Sequence, residues 1–197
     1  EDTQPRPTAG SRLIVAEAKR ATPEKPLLVI AGGPLTTVAD ALLTNPEIAT
    51  KIIVFGLTVS GGYNGKDGWA VYVVTQQARY VDWGGGSFWD KDSVFRSEHF
   101  EGLPDNEFTA DMKQFIKTDL GRANQLGDGA PLVWLFEPKC WSAATVYKAE
   151  FVGTTVRFVA PADPSDGDVL VIPKQATDLE ASRAEFLRVL QHPELFP

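Results

Sequence analysis

Apolar runs and amphipathic stretches alternate along the first part of the chain. Three runs are rich in apolar and β-branched residues, namely Leu27–Ala31, Lys51–Val59 and Arg79–Trp83. Between them, Thr37–Leu43 and Lys66–Gln77 have apolar residues at helical spacing. Short continuous apolar runs are typical of strands buried on both faces, and their alternation with helices is typical of βα repeats. The pattern therefore predicts an α/β fold with a mostly parallel sheet and helices on both faces.

The first predicted strand ends at Gly32 and Gly33, and Pro34 follows before the next helix. In open α/β sheets, ligands bind at the carboxyl ends of the strands. The backbone around these two glycines is therefore a candidate wall of a binding site. The alternative is an ordinary connection between a strand and a helix.

Residues 1 to 10 are polar and proline-rich, and the pattern predicts a flexible tail there, followed by one domain over residues 11 to 197. Ser11 stands at the start of an amphipathic stretch that reaches Arg20, so it is the predicted helix cap. The chain begins with Glu1. A cytoplasmic origin and a secreted origin after removal of a signal both stay open.

The second half of the chain has a different pattern of residue types. Residues 87 to 106 form a long loop rich in aromatic and acidic residues, which is typical of a site or a partner surface. Helices are predicted from Glu107 to Arg122, from Ala130 and from a capping box at Thr177–Glu180. Three further strands are predicted to form a small antiparallel addition, at Thr145–Phe151, Thr154–Val159 and Asp168–Ile172.

Charge and composition narrow the class of partner. The formal net charge is -7 and the pI is near 4.9, so no basic surface is expected that could neutralise a nucleic-acid backbone. A neutral or cationic small molecule is a better match than a nucleic acid for a protein with this net negative charge. No apolar run approaches membrane-spanning length, which predicts a soluble protein without a membrane partner. The single cysteine, Cys140, lies among apolar residues and is expected to be a buried thiol.

Three segments in a fixed order carry a resemblance to a known family. These are Gly33-Pro34-Leu35-Thr36-Thr37, then Asn45-Pro46-Glu47-Ile48, then Tyr63-Asn64 with Asp67 and Ala70 following. Together they resemble the C-terminal portion of an inosine-uridine nucleoside hydrolase, in a divergent form. The resemblance is clearest over residues 26 to 75 and returns near Asp128.

The resemblance implies a nucleoside hydrolase-like fold and a reaction. Members of this family use calcium to fix the ribose hydroxyls and to activate a water molecule for attack on the N-glycosidic bond. Carried over to this sequence, the Gly32 carbonyl and Asp128 are the implied calcium ligands, with Asp128 also contacting substrate. Asn64 is the implied ribose ligand, and Tyr63 is the aromatic residue beside it.

The sequence also departs from the family pattern. It lacks the N-terminal D-x-D-x-x-x-D-D motif, which supplies metal ligands and the general base, so no catalytic residue is assigned. Gly62, Gly127 and Thr37 stand where the family has glutamate, histidine and asparagine. The acidic cluster Asp163–Asp168 is expected to be a solvated turn instead of a substitute site. We therefore expect the C-terminal part of a longer hydrolase, completed by an N-terminal fragment.

Several alternatives stay open. The chain could be a non-catalytic nucleoside or carbohydrate binding protein that uses the same crevice, and a homo-oligomer is compatible with either function. Trp83 and Trp89, with Phe88, could stack on a nucleobase or could pack the loop against the sheet. His99 is a candidate leaving-group acid, and Asp67 is expected to cap a helix. Hydrolysis of an O-glycoside by two carboxylates would use Glu98, Glu101 or Asp105.

Overall fold

The computed structural model describes residues 4–57, 67–84, 100–118, 137, 140, 144–173 and 178–192. The chain divides into two compact units. The first unit contains Glu1–Gly85 and Ala144–Pro173, and the second contains Gly86–Ala143 and Lys174–Pro197. Each unit is described separately below.

The first unit is built on a six-stranded sheet in the order β1-β2-β3-β6-β4-β5. Its strands are β1 (Leu27–Ala31), β2 (Ile52–Leu57), β3 (Arg79–Gly84), β4 (Thr145–Val152), β5 (Thr155–Val159) and β6 (Val169–Pro173). β1, β2, β3 and β6 run parallel, whereas β4 is antiparallel to both β5 and β6. The predicted α/β class with a mostly parallel sheet and an antiparallel addition is confirmed. One detail differs, because β6 belongs to the parallel part of the sheet and only β4 and β5 form the antiparallel edge.

Three helices pack against one face of this sheet. They are α1 (Ala9–Arg20), α2 (Thr36–Thr44) and α3 (Gly68–Gln77), and a 3-10 helix at Pro46–Lys51 follows α2. Their apolar residues form one core with strand residues such as Ile52, Val54, Tyr80 and Val169. Because side chains alternate between the two faces of a strand, these four residues all project toward the same side of the sheet. No described helix is long and apolar enough to cross a membrane.

Helix α1 begins earlier than the sequence pattern predicted. Its cap is Thr8, whose hydroxyl accepts a hydrogen bond from the Ser11 backbone N–H at 3.1 Å. Ser11 is the third residue of the helix, and its hydroxyl accepts from the Thr8 N–H at 2.8 Å. The prediction that Ser11 is the cap was therefore wrong, because both hydroxyls take part in one reciprocal capping box.

The second unit contains two described helices, α4 (Glu107–Thr118) and α5 (Leu179–Gln191). Cys140 is buried, as expected, and its carbonyl accepts a hydrogen bond from the Asp178 N–H at 2.8 Å. Asp178 caps α5, since its carboxylate accepts from the Ala181 N–H at 2.9 Å. The predicted capping box at Thr177 was wrong by one residue. The cap is Asp178, one position later, because its carboxylate accepts the hydrogen bond from the N–H in the first turn of α5.

Candidate functional site

The carboxyl ends of β1, β2 and β3 lie at one edge of the sheet, because the three strands are parallel. Gly32 and Gly33 leave β1 at this edge. Gly32 is exposed, and a Cβ placed on Gly33 would meet nothing within 4 Å. The backbone of this turn is therefore open to an approaching ligand, as a wall of a site at the carboxyl edge requires.

One row of residues crosses the sheet directly below this turn. Ala31 pairs with Gly56, and Gly56 pairs with Asp82. The Asp82 side chain is 1% exposed, and its Oδ2 accepts a hydrogen bond from the Tyr80 hydroxyl at 3.0 Å. A Cβ on Gly56 would lie 2.0 Å from that hydroxyl oxygen. Gly56 is therefore needed so that the phenol of Tyr80 can reach Asp82 beneath the turn.

The Tyr80–Asp82 pair has a distinct electrostatic state. The pKa of Tyr80 is raised well above its usual value, first by burial and then by the nearby charge and hydrogen bond of Asp82. The phenol therefore remains a neutral hydrogen-bond donor at physiological pH. Such a donor stabilises a charged carboxylate in a place where water is excluded.

Sequence reasoning did not find this pair. A signal was present, because Asp82 lies between Val81 and Trp83 in a predicted strand and Tyr80 stands two residues before it. Residues i and i+2 of a strand share a face, so a buried aspartate and a tyrosine at this spacing can form a hydrogen bond.

Two segments of the sequence resemblance meet next to the turn. The Thr36 hydroxyl, at the start of α2, donates to Asp67 Oδ2 at 3.0 Å. Asp67 Oδ1 accepts from the Ala70 N–H at 3.1 Å and so caps α3, which confirms the predicted role of Asp67. The structure thus joins the glycine turn segment to the segment that follows Tyr63 and Asn64 in the sequence.

Most of the site residues expected from the sequence lie outside the described part of the chain. This applies to Tyr63, Asn64, Trp89 and Asp128, and also to Gly62, Phe88, Glu98, His99 and Gly127. The backbone of Trp83 lies in β3, paired with Leu57 and Ile172. Gly32 lies at the carboxyl edge, as expected. The roles of these residues therefore stay predictions.

The acidic cluster near the C-terminus has a structural role where it is described. Asp163 accepts hydrogen bonds from the Ser165 N–H and hydroxyl, both at 2.8 Å, which lower its pKa. Asp163 and Asp166 are exposed, which confirms the expected solvated turn. Asp168 instead lies half-buried and accepts from the Ala149 N–H at 2.8 Å and from Gln76 Nε2 at 2.7 Å.

Other carboxylates proposed for chemistry are dispersed. Asp105 is exposed and forms an ion pair with Lys113 at 2.7 Å, and Glu101 is exposed as well. Among the described residues, no group of three or more His, Cys, Asp or Glu side chains is arranged to hold a metal ion.

Comparisons with known proteins identify the fold. No protein-family model and no curated protein matches the sequence. A solved plant nucleoside hydrolase, the PpNRh1 enzyme, is similar over 97% of this chain and 69% of its own, with a TM-score of 0.70 and 17% identity. A purine-preferring ribonucleoside hydrolase from Gardnerella vaginalis is similar over 97% of this chain and 68% of its own, with a TM-score of 0.66 and 17% identity.

A third solved structure agrees with these two. The inosine-uridine preferring nucleoside hydrolase from Bacillus anthracis is similar over 93% of this chain and 66% of its own, with a TM-score of 0.63 and 14% identity. The chain therefore has a nucleoside hydrolase-like fold, and the resemblance expected from the sequence motifs is confirmed at the level of the fold. About a third of each neighbour has no counterpart in this chain.

Proposed function

We propose that this chain carries part of the site of a calcium-assisted hydrolase that cleaves the N-glycosidic bond of a ribonucleoside or a related glycoside. The observation that carries the proposal is the glycine turn. Gly32 and Gly33 lie at the carboxyl edge of a parallel sheet, above the buried Tyr80–Asp82 pair, in a fold similar to that of solved nucleoside hydrolases. Ligands of such sheets bind at this edge.

The edge strand β1 supports a complementing segment. β1 ends the described sheet on one side, and its sequence Leu27–Ala31 contains only apolar residues. On the face opposite to α1, α2 and α3, Leu28 is 37% exposed and Ile30 is 41% exposed. Parallel strands of this composition are normally buried on both faces, and a bare apolar edge is a template for pairing. A complementing segment that pairs a strand with β1 and also packs against this face would bury both side chains.

The number of ligands that calcium needs also supports a complementing segment. Calcium takes six to eight oxygen ligands. The proposal assigns two from this chain, the Gly32 carbonyl and Asp128, so the other ligands and the general base would come from the complementing segment or from water. We place Asn64 and Tyr63 against the ribose, and Trp83 and Trp89 against the aglycone.

Complementation tests the proposal. The 197-residue chain is assayed for ribose release from a panel of ribonucleosides, alone and with the upstream segment supplied as one polypeptide or as a second chain. We expect no turnover by the chain alone, and calcium-dependent turnover when the segment is added. Robust calcium-dependent turnover by the isolated chain would contradict the need for a complementing segment. Nucleoside binding by the complemented protein without ribose release would favour a non-catalytic binding protein.

A matched pair of variants tests the metal assignment in the complemented protein. Asp128→Ala should abolish calcium binding measured by calorimetry, whereas Asp166→Ala, in the exposed turn, should leave it unchanged. Asn64→Leu should remove nucleoside binding with calcium affinity retained, because it deletes an amide that can both donate and accept hydrogen bonds. Equal calcium affinities in the two aspartate variants would exclude Asp128 as a ligand.

A further inference from the structure

One cleft of the first unit lies between α2, the start of α3 and residues 4 to 8. Its volume is about 360 Å³. Thr36, Thr37 and Asp40 line it from α2, Asp67 and Trp69 line it from the start of α3, and residues 4 to 8 contribute Gln4, Pro5, Arg6 and Thr8. Gly32 and Gly33 are not among its lining residues. The space is sufficient for a small organic molecule.

Asp40 provides an unpaired acceptor in this cleft. The side chain is 8% exposed, and its Oδ1 accepts a hydrogen bond from the Arg6 backbone N–H at 2.6 Å. Its other oxygen, Oδ2, is buried and has no hydrogen-bond partner among the residues that the structure describes. A buried polar atom without a partner is destabilising, so one that lines a cleft points to a group that binds there.

Trp69 provides an unpaired donor in the same cleft. Its ring contacts Tyr72 at a centroid distance of 5.7 Å and Phe151 at 5.5 Å, so the orientation of the indole is fixed by aromatic packing. Its Nε1–H is buried, and within the described part of the chain it has no acceptor. Two residues that line the cleft, on two adjacent helices, therefore each hold one buried polar atom without a described partner.

We propose that this cleft binds a small polyhydroxylated molecule, such as a pentose, through Asp40 and Trp69. A hydroxyl group both donates and accepts hydrogen bonds, so vicinal hydroxyls can donate to Asp40 Oδ2 and accept from Trp69 Nε1–H. The hydroxyls of Thr36 and Thr37 line the same cleft and fit the same type of ligand. The proposal does not depend on the hydrolase activity proposed above.

Ligands of other charge types fit less well. An anion such as phosphate would accept from Trp69 but would be repelled by the carboxylates of Asp40 and Asp67. A primary ammonium would be attracted to Asp40, but it only donates and would leave the Trp69 N–H unpaired. Asp67 already accepts from Thr36 and Ala70, so Asp40 is the acceptor left for a ligand.

Residues from the segment 4 to 8 line one part of the cleft. Arg6 holds this segment onto Asp40 through its backbone N–H, while the Arg6 side chain is exposed. Both unpaired atoms are buried, so the proposal requires that a ligand reaches them when this segment moves away from α2. The hydrogen bond from the Arg6 N–H to Asp40 is one contact that this movement would break.

The test follows the indole N–H resonance of Trp69 in the full 197-residue chain, assigned by comparison with Trp69→Phe. D-ribose, inorganic phosphate and methylammonium are titrated separately. We expect D-ribose to shift this resonance in a saturable manner, and the other two probes to leave it unchanged. Ribose that binds at the glycine turn and not in this cleft would shift the resonance equally in the wild type and in Asp40→Asn, because Asp40 lines the cleft. Failure of this proposal is therefore distinguishable from failure of the proposed hydrolase.

Two variants separate hydrogen bonding from packing. Asp40→Asn removes the charged acceptor and should weaken ribose binding about tenfold. Tyr72→Phe keeps the ring that contacts Trp69 and should leave the affinity unchanged. The proposal is overturned if the Trp69 resonance does not respond to ribose up to about 100 mM, a range that covers even very weak binding. It is also overturned if phosphate or methylammonium shifts the Trp69 resonance as strongly as ribose does. This outcome is measured on the wild-type chain and does not depend on either variant.

Discussion

Removal of the Tyr80 hydroxyl gives the sharpest test of the buried pair below the glycine turn. Tyr80→Phe keeps the ring, which is 2% exposed and packs in the core beside Phe158 at a centroid distance of 6.4 Å. It deletes the hydroxyl that donates to Asp82 Oδ2 at 3.0 Å. The change therefore removes one hydrogen bond to a buried carboxylate and almost no apolar packing.

The expected loss of stability follows from that single bond. A hydrogen bond to a charged group contributes about 1.5–3 kcal/mol to the free energy of unfolding. Phenylalanine is buried more easily than tyrosine, which offsets part of this loss. We expect Tyr80→Phe to lower the free energy of unfolding by about 2 kcal/mol at pH 7.

The pH dependence adds an independent signature. The folded-state pKa of Tyr80 is raised well above 10.0 by burial and by Asp82, whereas an unfolded tyrosine titrates near the ordinary value. The stabilisation is therefore complete below about pH 10 and is lost as the pH rises above it, because the unfolded chain releases the proton first. At pH 11 this loss reaches at most about 1.4 kcal/mol in the wild type, and it is absent from the variant.

Urea unfolding followed by tryptophan fluorescence between pH 7 and pH 11 measures both effects. The difference in unfolding free energy between the wild type and Tyr80→Phe should be about 2 kcal/mol at pH 7 and should shrink toward pH 11, by up to about 1.4 kcal/mol. Tyr72→Phe, at a half-buried position of α3, is the matched control and should cost less than about 1 kcal/mol. A Tyr80→Phe difference that stays constant with pH, or is below about 0.5 kcal/mol at pH 7, would refute the reasoning.

Two further predictions concern stability at neutral pH. Gly56→Ala should destabilise the chain by about 1–3 kcal/mol, because its Cβ would lie 2.0 Å from the Tyr80 hydroxyl oxygen. Gly33→Ala should change the unfolding free energy by less than about 0.5 kcal/mol, because its Cβ would meet nothing within 4 Å. Equal effects of the two substitutions in urea unfolding would contradict this. Thr8→Ala should cost about 1 kcal/mol by deleting the cap of α1, and an unchanged urea midpoint would show that the cap contributes nothing.

The sequence predicted the sheet well because its signal is local. β1 has the predicted bounds, Leu27–Ala31, since an apolar run that stops at two glycines leaves little freedom for its ends. β3 also begins at the predicted Arg79. Periodicity could not show that β6 inserts beside β3, because strand order depends on contacts between distant segments.

Helix caps were predicted less accurately for a physical reason. Thr8 and Ser11 can both cap a helix, and so can Thr177 and Asp178. The choice depends on which oxygen meets the unpaired N–H, and that depends on how the preceding segment approaches the helix. In α1 the segment is held by the Arg6 N–H on Asp40, a contact between residues 34 positions apart. Such a contact leaves no local trace in the sequence.

The candidate site was predictable in position but not in composition. The Gly32–Gly33 turn could be placed at the carboxyl edge because strand polarity follows from the alternation of strands and helices. Asp40 and Asp82 were missed because each is a single acidic residue inside an apolar element, where the pattern assigns packing. Their importance depends on burial and on the partners that the fold provides, such as Tyr80.

The row Ala31–Gly56–Asp82 links the fold to the proposed chemistry. A backbone carbonyl can hold an ion or a sugar only if the strand before it is fixed in position. Within the described sheet, β1 is hydrogen-bonded on one side only, to β2. The position of the turn therefore depends on how firmly that side, at Gly56, is held. The hydrogen bond from Tyr80 to Asp82 fixes that side, because the phenol passes through the space that Gly56 leaves. A strand added beside β1 would fix the other side, and ligand binding at the turn should therefore strengthen when that strand is supplied.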